Sequence, residues 1–323
     1  MNEPDKGLIA AIAEQRQVVA VHAPEDMPTF ERVLELLPKL QEQLGLGRFL
    51  GALAIDHKPR LLYHFVLTTG SPVAVLGPQV VLKVYGDSPR GEGPLQQAWR
   101  DRGLDVPRLV CGEAGDCSWL LIEHLELHPA ATLLTDQLAL VDQLASMGRT
   151  MHRPTRDVEP LLRPLDEVMI PRWKKAVAAL LGSGQNVPSS WLGRAVAAYA
   201  SGRAVPLHGD LAPANLGKSR SGRLIVFDAS ALQGPAAFDA ARWSARAGPG
   251  GFGPEALLRR WMSVENLPSD REPWDLLAAE CVLEAGSREI VRSRGTHGSL
   301  RTPQGAAAAG VSELLTVAST HWF

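Results

Sequence analysis

The sequence predicts an α+β protein of two lobes, β-rich in its first part and mainly helical in its second. Between Phe49 and Glu123, short β-branched and aromatic runs alternate with Gly, Pro and polar turns. Beyond about residue 125 those runs nearly vanish, and apolar side chains recur at helical spacing instead. A length of 323 residues is also long for one compact core. The expected division is a helical extension over 1–48, a β-rich lobe over 49–125 and a helical lobe over 126–323.

The opening MNEPDKGLIAAIAEQRQ has charges on both sides of an apolar run of about six residues, too short for a secretory signal. Residues 27–44 read as a helix, since Phe30, Val33, Leu34, Leu37, Leu40 and Leu44 share a face, and Pro38 is expected to kink or divide it. RLLYHFVLTTG, SPVAVLG, QVVLKVYG and SWLLIEHL follow as candidate strands. One helix over Pro94–Arg102 interrupts them, with Pro94 suited to a first turn. Helices are then expected over 134–152, 168–181, 191–200, 254–264 and 273–292, with GPGGFGP at 248–254 as a loop.

Composition narrows the function classes. Hydrophobic content of 45% and charged content of 21% are globular values. A net charge of −2 gives no sign of a general nucleic-acid binder, whose phosphate contacts need a basic surface. Cys111, Cys117 and Cys281 make an odd set with no disulfide framework, as in a reducing compartment. No apolar run approaches the ~20 residues of a membrane span. The expectation is a soluble cytoplasmic protein, monomer or homodimer, without nucleic-acid or membrane partners.

The chemistry concentrates in HGDLAPANL, residues 208–216, and in RLIVFDAS, which ends a short apolar run on Asp228. Gly209 and Pro213 make the first segment a loop. Two carboxylates and an amide, from a loop and a strand end, are hard oxygen donors suited to Mg²⁺ beside substrate phosphates. If Asn215 and Asp228 hold the metal, Asp210 is left to orient a hydroxyl or take its proton.

This pattern resembles the aminoglycoside phosphotransferase family, the small-molecule branch of the protein-kinase-like fold that also includes choline kinases. The resemblance covers residues 60–245 and is strongest over 206–243. It implies Asp210 as catalytic base, Asn215 and Asp228 as Mg²⁺ ligands, and His208 as a structural member of the loop. GPAAFDAARW then places Asp239 as a helix-start carboxylate that buttresses the loop. VVLKV places Lys83 on a strand, facing the α- and β-phosphates of ATP, with GTP as an alternative donor. Glu92 is the candidate partner of Lys83, and the backbone of Thr69, Gly70 and Ser71 would cover phosphates. WLLIEHLEL resembles the strand and hinge that meet the adenine, at Glu123 and Leu125. LASMGRTMHRP resembles the family's long helix ending in a His, here His152, read as a packed or capping residue. Ala212, Ala214, Ala229, Ser230 and Pro235 depart from the family's usual residues and bear on a second metal site.

A Cys₂His₂ zinc site from Cys111, Cys117, His124 and His128 lacks the usual spacing. Nucleophile-elbow, Walker and dinucleotide fingerprints are absent from the sequence. The expected activity is therefore Mg²⁺-dependent transfer of the γ-phosphoryl of a nucleoside triphosphate to a hydroxyl of a small molecule. An antibiotic acceptor is favoured by the breadth of the family. The alternatives are a metabolite such as a sugar, amino alcohol or biosynthetic intermediate, or a nucleotide-binding module without catalysis. Acids at 265, 270, 272, 275, 280, 284 and 289 interleave with arginines at 259, 260, 271, 288, 292 and 294, the pattern of a solvated face.

Overall fold

The computed structural model describes residues 5–55, 58–86, 91–125, 136–218, 222–293 and 304–322, with only the backbone for 304–309. His128, Leu134 and the 126–129 junction lie outside the described residues. Two compact units emerge: Met1–Asp101 with Val106–Glu126, and Arg102–Asp105 with Leu127–Phe323.

The first unit is a five-stranded antiparallel sheet in the order β1-β2-β3-β5-β4, with helices against it. Its elements are α1 (Lys6–His22), α2 (Met27–Leu44), β1 (Leu46–Ala52), β2 (Arg60–Leu67), β3 (Gln79–Tyr85), α3 (Glu92–Asp101), β4 (Leu109–Ala114) and β5 (Cys117–Glu123). Asp5 caps α1 by accepting from Gly7 and Leu8 N–H, and its other oxygen accepts from Phe49 N–H of β1 at 3.1 Å. One carboxylate thus starts a helix and ties it to the sheet. Residues 5–44 share a core with the sheet, built from Val19, Phe30, Val33, Leu37, Leu40, Tyr63, Phe65 and Leu121.

Helix α2 runs through Pro38 as one segment, so the proline does not divide it. Proline in a helix interior costs about 3 kcal/mol. Burying Phe30, Val33, Leu37, Leu40 and Leu44 on one face offsets this, at roughly 1.5–3 kcal/mol for each fully buried side chain. The helix ends at Gly45, whose φ of 63° and contacts with Thr68 and Ser71 leave no room for a Cβ. SPVAVLG is not a strand: it forms a 3-10 turn over Ala74–Leu76 that buries Val73 and Leu76 and exposes Val75. Pro72 and the short span between β2 and β3 favour a turn over another paired strand.

The second unit comprises α4 (Gln137–Met151), β6 (Arg163–Pro164), α5 (Leu165–Gly182), α6 (Trp191–Tyr199), β7 (Ala204–Leu207), β8 (Leu216–Lys218), β9 (Leu224–Val226), β10 (Leu232–Pro235), α7 (Ala237–Ala247), α8 (Pro254–Glu265), α9 (Glu272–Ser293) and α10 (Gln304–Trp322). Helix α9 is the hub, buried on most sides and packed against α5, α6, α7 and α10. Gly286 lets its backbone lie directly on Ala176 of α5. Trp322 anchors α10, edge-on to Trp191 and donating its indole N–H to Asp275. A small sheet, β6-β10-β7, and the hairpin β8-β9 hold the loop between Leu207 and Leu216. No described helix is long and apolar enough to cross a membrane.

Candidate active site

The loop that begins at His208 is held through its backbone. Asp239, in the first turn of α7, accepts from His208 N–H at 2.8 Å and Gly209 N–H at 2.9 Å. Gly209 has φ 75°, and a Cβ there would meet Leu232 at 2.8 Å, so glycine is required. His208 accepts the Asp210 N–H at Nδ1 and reaches the Phe227 carbonyl through Nε2, an arrangement that assigns the proton to Nε2. The Ser230 N–H returns to the His208 carbonyl at 2.7 Å.

Asp239 itself belongs to a buried charged chain. His152, just past α4, bonds Asp239 through Nε2 at 3.1 Å and Glu265 of α8 through Nδ1 at 2.6 Å. Trp261 donates to the other Glu265 oxygen at 2.6 Å. Burial pushes the His152 pKa down, but the hydrogen bonds and charges of Asp239 and Glu265 outweigh it and raise it to about 10. Burial likewise pushes Asp239 up, and His152 and the loop hold it below its ordinary value. A histidinium between two carboxylates therefore fixes the loop's support, as a packed residue rather than one facing solvent.

Asp210 is a quarter exposed, so it stays reachable from solvent. Its Oδ1 accepts from Arg242 and Arg246 of α7, both at 3.0 Å, and its Oδ2 accepts from the Asn215 amide at 3.2 Å. Burial works against its ionisation, but Arg246 and Arg242 hold the carboxyl well below the usual carboxylate range. Arg242 is locked in turn by Glu280 of α9 at 2.6 Å, and Tyr199 donates to the second Glu280 oxygen.

Asn215 and Asp228 are brought together by the β8-β9 hairpin. Leu216 pairs with Val226, and Phe227 N–H donates to the Asn215 carbonyl, so both residues stand at the same end of the hairpin. The Asn215 Nδ2 is spent on the carbonyl and carboxylate of Asp210. Its Oδ1 is buried with no partner among the described residues. Asp228 has φ 63°, a left-handed conformation that a non-glycine residue adopts at a cost. An orphaned amide oxygen beside a strand-end carboxylate is the donor set a Mg²⁺ ion would take.

In the first unit, Lys83 of β3 bonds Glu92 of α3 at 2.6 Å, with both side chains almost wholly buried. Tyr85 and Gln96 complete the Glu92 carboxylate at 2.9 and 3.1 Å. The helix begins at Glu92 itself, two residues before Pro94.

Thr69, Gly70 and Ser71 are not brought to Lys83. Lys83 pairs with Leu62, near the β1–β2 connection, whereas Thr69–Ser71 follow β2 at its far end, about 20 Å away by strand rise. Ser71 instead donates its hydroxyl to the Leu44 carbonyl and Thr68 donates to Gly45, which ties the turn to the end of α2. Glu123 ends β5, and its carboxylate accepts from Arg108 N–H and Nε, both at 2.6 Å. Leu125, half-buried, is the second residue past that strand.

The sequence reading missed Arg242 and Arg246. Their signal is the spacing of Asp239, Arg242 and Arg246, which share one face of a helix.

No family model matches the chain, and no curated protein is similar to it. Solved structures do match. The choline kinase LicA from Streptococcus pneumoniae aligns with a TM-score of 0.55 at 15% identity, covering 90% of this chain and 99% of that one. A spectinomycin phosphotransferase in complex with ADP and spectinomycin aligns at 0.54 and 11% identity, covering 89% and 98%. A choline/ethanolamine kinase family protein from Mesorhizobium loti aligns at 0.53 and 12% identity, covering 96% and 97%. The fold is thus the kinase-like one shared by aminoglycoside phosphotransferases and choline kinases.

Proposed function

We propose that the chain is a small-molecule kinase, transferring the γ-phosphoryl of ATP, or of GTP, to a hydroxyl. The observation that carries the reading is Asn215, whose amide nitrogen is committed to Asp210 while its buried oxygen waits for a cation. Kinase-like neighbours, one with ADP bound, support it.

Lys83, steadied by Glu92, would neutralise nucleotide phosphates, and Glu123 and Leu125 would meet the base. Asn215 Oδ1 and Asp228 would hold Mg²⁺, which neutralises charge on the transferring phosphoryl when bound. Asp210 stays ionised and would accept the hydrogen bond of the acceptor hydroxyl, aiming its oxygen in line and receiving its proton late in the transfer. The Asp239–His152–Glu265 chain holds the loop that carries Asp210. Keeping both the ion pair and the orphaned oxygen favours catalysis over a binding module. The reading is consistent with a cytoplasmic enzyme.

An antibiotic acceptor of polycationic type gains little support from the helical unit. Glu265 is spent on His152, Asp275 on Arg271 and Trp322, Glu280 on Arg242 and Tyr199, Glu284 on Arg288, and Glu289 on Arg292. A metabolite acceptor is the better reading.

The test is a titration of a fluorescent ATP analogue with and without Mg²⁺. Tighter binding with Mg²⁺, weakened by Lys83→Ala and stripped of its metal dependence by Asp228→Ala, is the expected result. Binding with no metal dependence in the wild type would overturn the reading.

A further inference from the structure

A carboxylate offers about four acceptor positions, and those of Asp210 are unevenly used. Its Oδ1 faces two guanidinium groups, with Arg242 Nη2 and Arg246 Nη1 each at 3.0 Å, and so is filled. Its Oδ2 takes the Asn215 amide alone among the described residues, at 3.2 Å. The open position for an acceptor hydroxyl is therefore on Oδ2, beside Asn215, with both arginines on the neighbouring oxygen.

The two arginines are held differently. Arg242 is 5% exposed, and Glu280 of α9 fixes it at 2.6 Å. Arg246, one turn further along α7, is 24% exposed. Besides Asp210 it approaches Glu284, but at 3.7 Å from Nε, beyond hydrogen-bond length, and Arg288 already holds that carboxylate at 2.9 Å. Arg246 thus has one short contact among the described residues, to Asp210, and N–H groups to spare on a guanidinium that solvent reaches. All of these residues belong to one unit. In-line transfer brings the acceptor oxygen to about 3–3.5 Å from the γ-phosphorus. A hydroxyl bonded to Oδ2 consequently sets the phosphoryl oxygens within reach of an arginine that bonds Oδ1.

We propose that Arg246 is a catalytic residue of the transfer, donating to an oxygen of the γ-phosphoryl as it passes to the acceptor, while Arg242 stays in place and orients Asp210. The proposal rests on the phosphoryl-transfer reading. The acceptor oxygen forms its bond to phosphorus as the bond from phosphorus to the β-phosphate oxygen breaks, and that electron pair leaves on the nucleoside diphosphate. The hydroxyl proton passes to Oδ2 of Asp210. Asp210 is then neutral, so Arg246 loses its counter-ion just as a dianionic phosphate ester forms beside it. A forked guanidinium matches that oxyanion and stabilises the charge spread over the transferring group. Arg242 is too deeply held by Glu280 to make the same movement.

The experiment is ¹⁹F NMR of the full-length protein with Mg·ADP and aluminium fluoride, whose planar AlF₄⁻ mimics the transferring phosphoryl, with water in the acceptor's place. Wild type is compared with Arg246→Gln and Arg246→Lys, their folding checked by thermal melting and their Mg·ADP affinity by calorimetry. The expected result is bound fluoride in the wild type and a fluoride affinity roughly tenfold or more lower in Arg246→Gln, at unchanged Mg·ADP affinity. Arg246→Lys, which keeps the charge and loses the fork, should fall between the two. Fluoride held equally well by wild type and Arg246→Gln overturns the proposal, as does a wild type that binds Mg·ADP without fluoride. A wild type that binds no Mg·ADP removes the kinase reading, and the proposal with it.

Discussion

Arg242 and Arg246, one turn apart on α7, both donate to the same oxygen of Asp210 at 3.0 Å. The carboxylate is thereby kept ionised and oriented before any ligand arrives, with burial opposing and the two guanidinium groups prevailing.

This arrangement predicts the acid side of the pH–rate profile. A carboxyl with a depressed folded pKa contributes stability above its unfolded value, ~3.9, and loses it only as pH falls through the lower folded value. Asp210 should therefore remain ionised down to pH 5. Transfer rates should show no acid limb that disappears in Asp210→Asn. A limb near pH 6 that the substitution removes would contradict the clamp.

The buried histidinium predicts an alkaline effect of opposite sign. His152 has a folded value of about 10 against ~6.5 unfolded, so its contribution is full below ~6.5 and is lost as pH rises through about 10. Removing one partner of a buried pair costs roughly 3–5 kcal/mol. His152→Gln should lose about that much in urea unfolding at pH 6, and much less at pH 10. A difference that is constant across this range would show that His152 is neutral in the folded protein.

Lys83 and Glu92 separate stability from function. Glu92→Ala should destabilise the protein by roughly 3–5 kcal/mol, because it strands a buried ammonium. The double variant Lys83→Met with Glu92→Leu should regain most of that stability in thermal melts while nucleotide affinity stays at least tenfold down. Full affinity in the double variant would make the pair structural only.

Asn215 offers the sharpest test of the metal assignment. Asn215→Ala should reduce nucleotide affinity about tenfold in Mg²⁺ and leave the metal-free affinity unchanged. Equal losses in both conditions would mean that Asn215 serves only Asp210.

Much of this site was legible in residue types and spacing. Leu257, Leu258, Trp261 and Met262 recur at helical intervals and mark α8, and the aliphatic runs of β2, β3 and β5 mark strands. The pairing of Lys83 with Glu92, which meet at 2.6 Å, was expected from the family resemblance rather than from spacing, while the loop carrying Asp210 and Asn215 and the strand ending before Asp228 were readable from residue types. The distance of Thr69–Ser71 from Lys83 was hidden for a physical reason. Strand β1 contains Gly47 and Gly51 and is bulged against β2, which weakens its alternation and makes β2 and β3 look like the first hairpin. That places Thr69–Ser71 at the wrong end of the sheet. Helix α10 opens with the alanine run 306–309, a sequence with no apolar stripe. Arg242 and Arg246 read as solvated charges because nothing local in the sequence shows that α7 turns them toward the loop.

The most direct test of the central claim is transfer of ³²P from γ-labelled ATP, with Mg²⁺, to a panel of anionic, neutral and cationic hydroxyl compounds. The account predicts labelled product from at least one acceptor, reduced ~10²-fold or more in Asp210→Asn at unchanged nucleotide affinity. Equal labelling by wild type and Asp210→Asn, or a protein that binds no Mg·ATP, would contradict it.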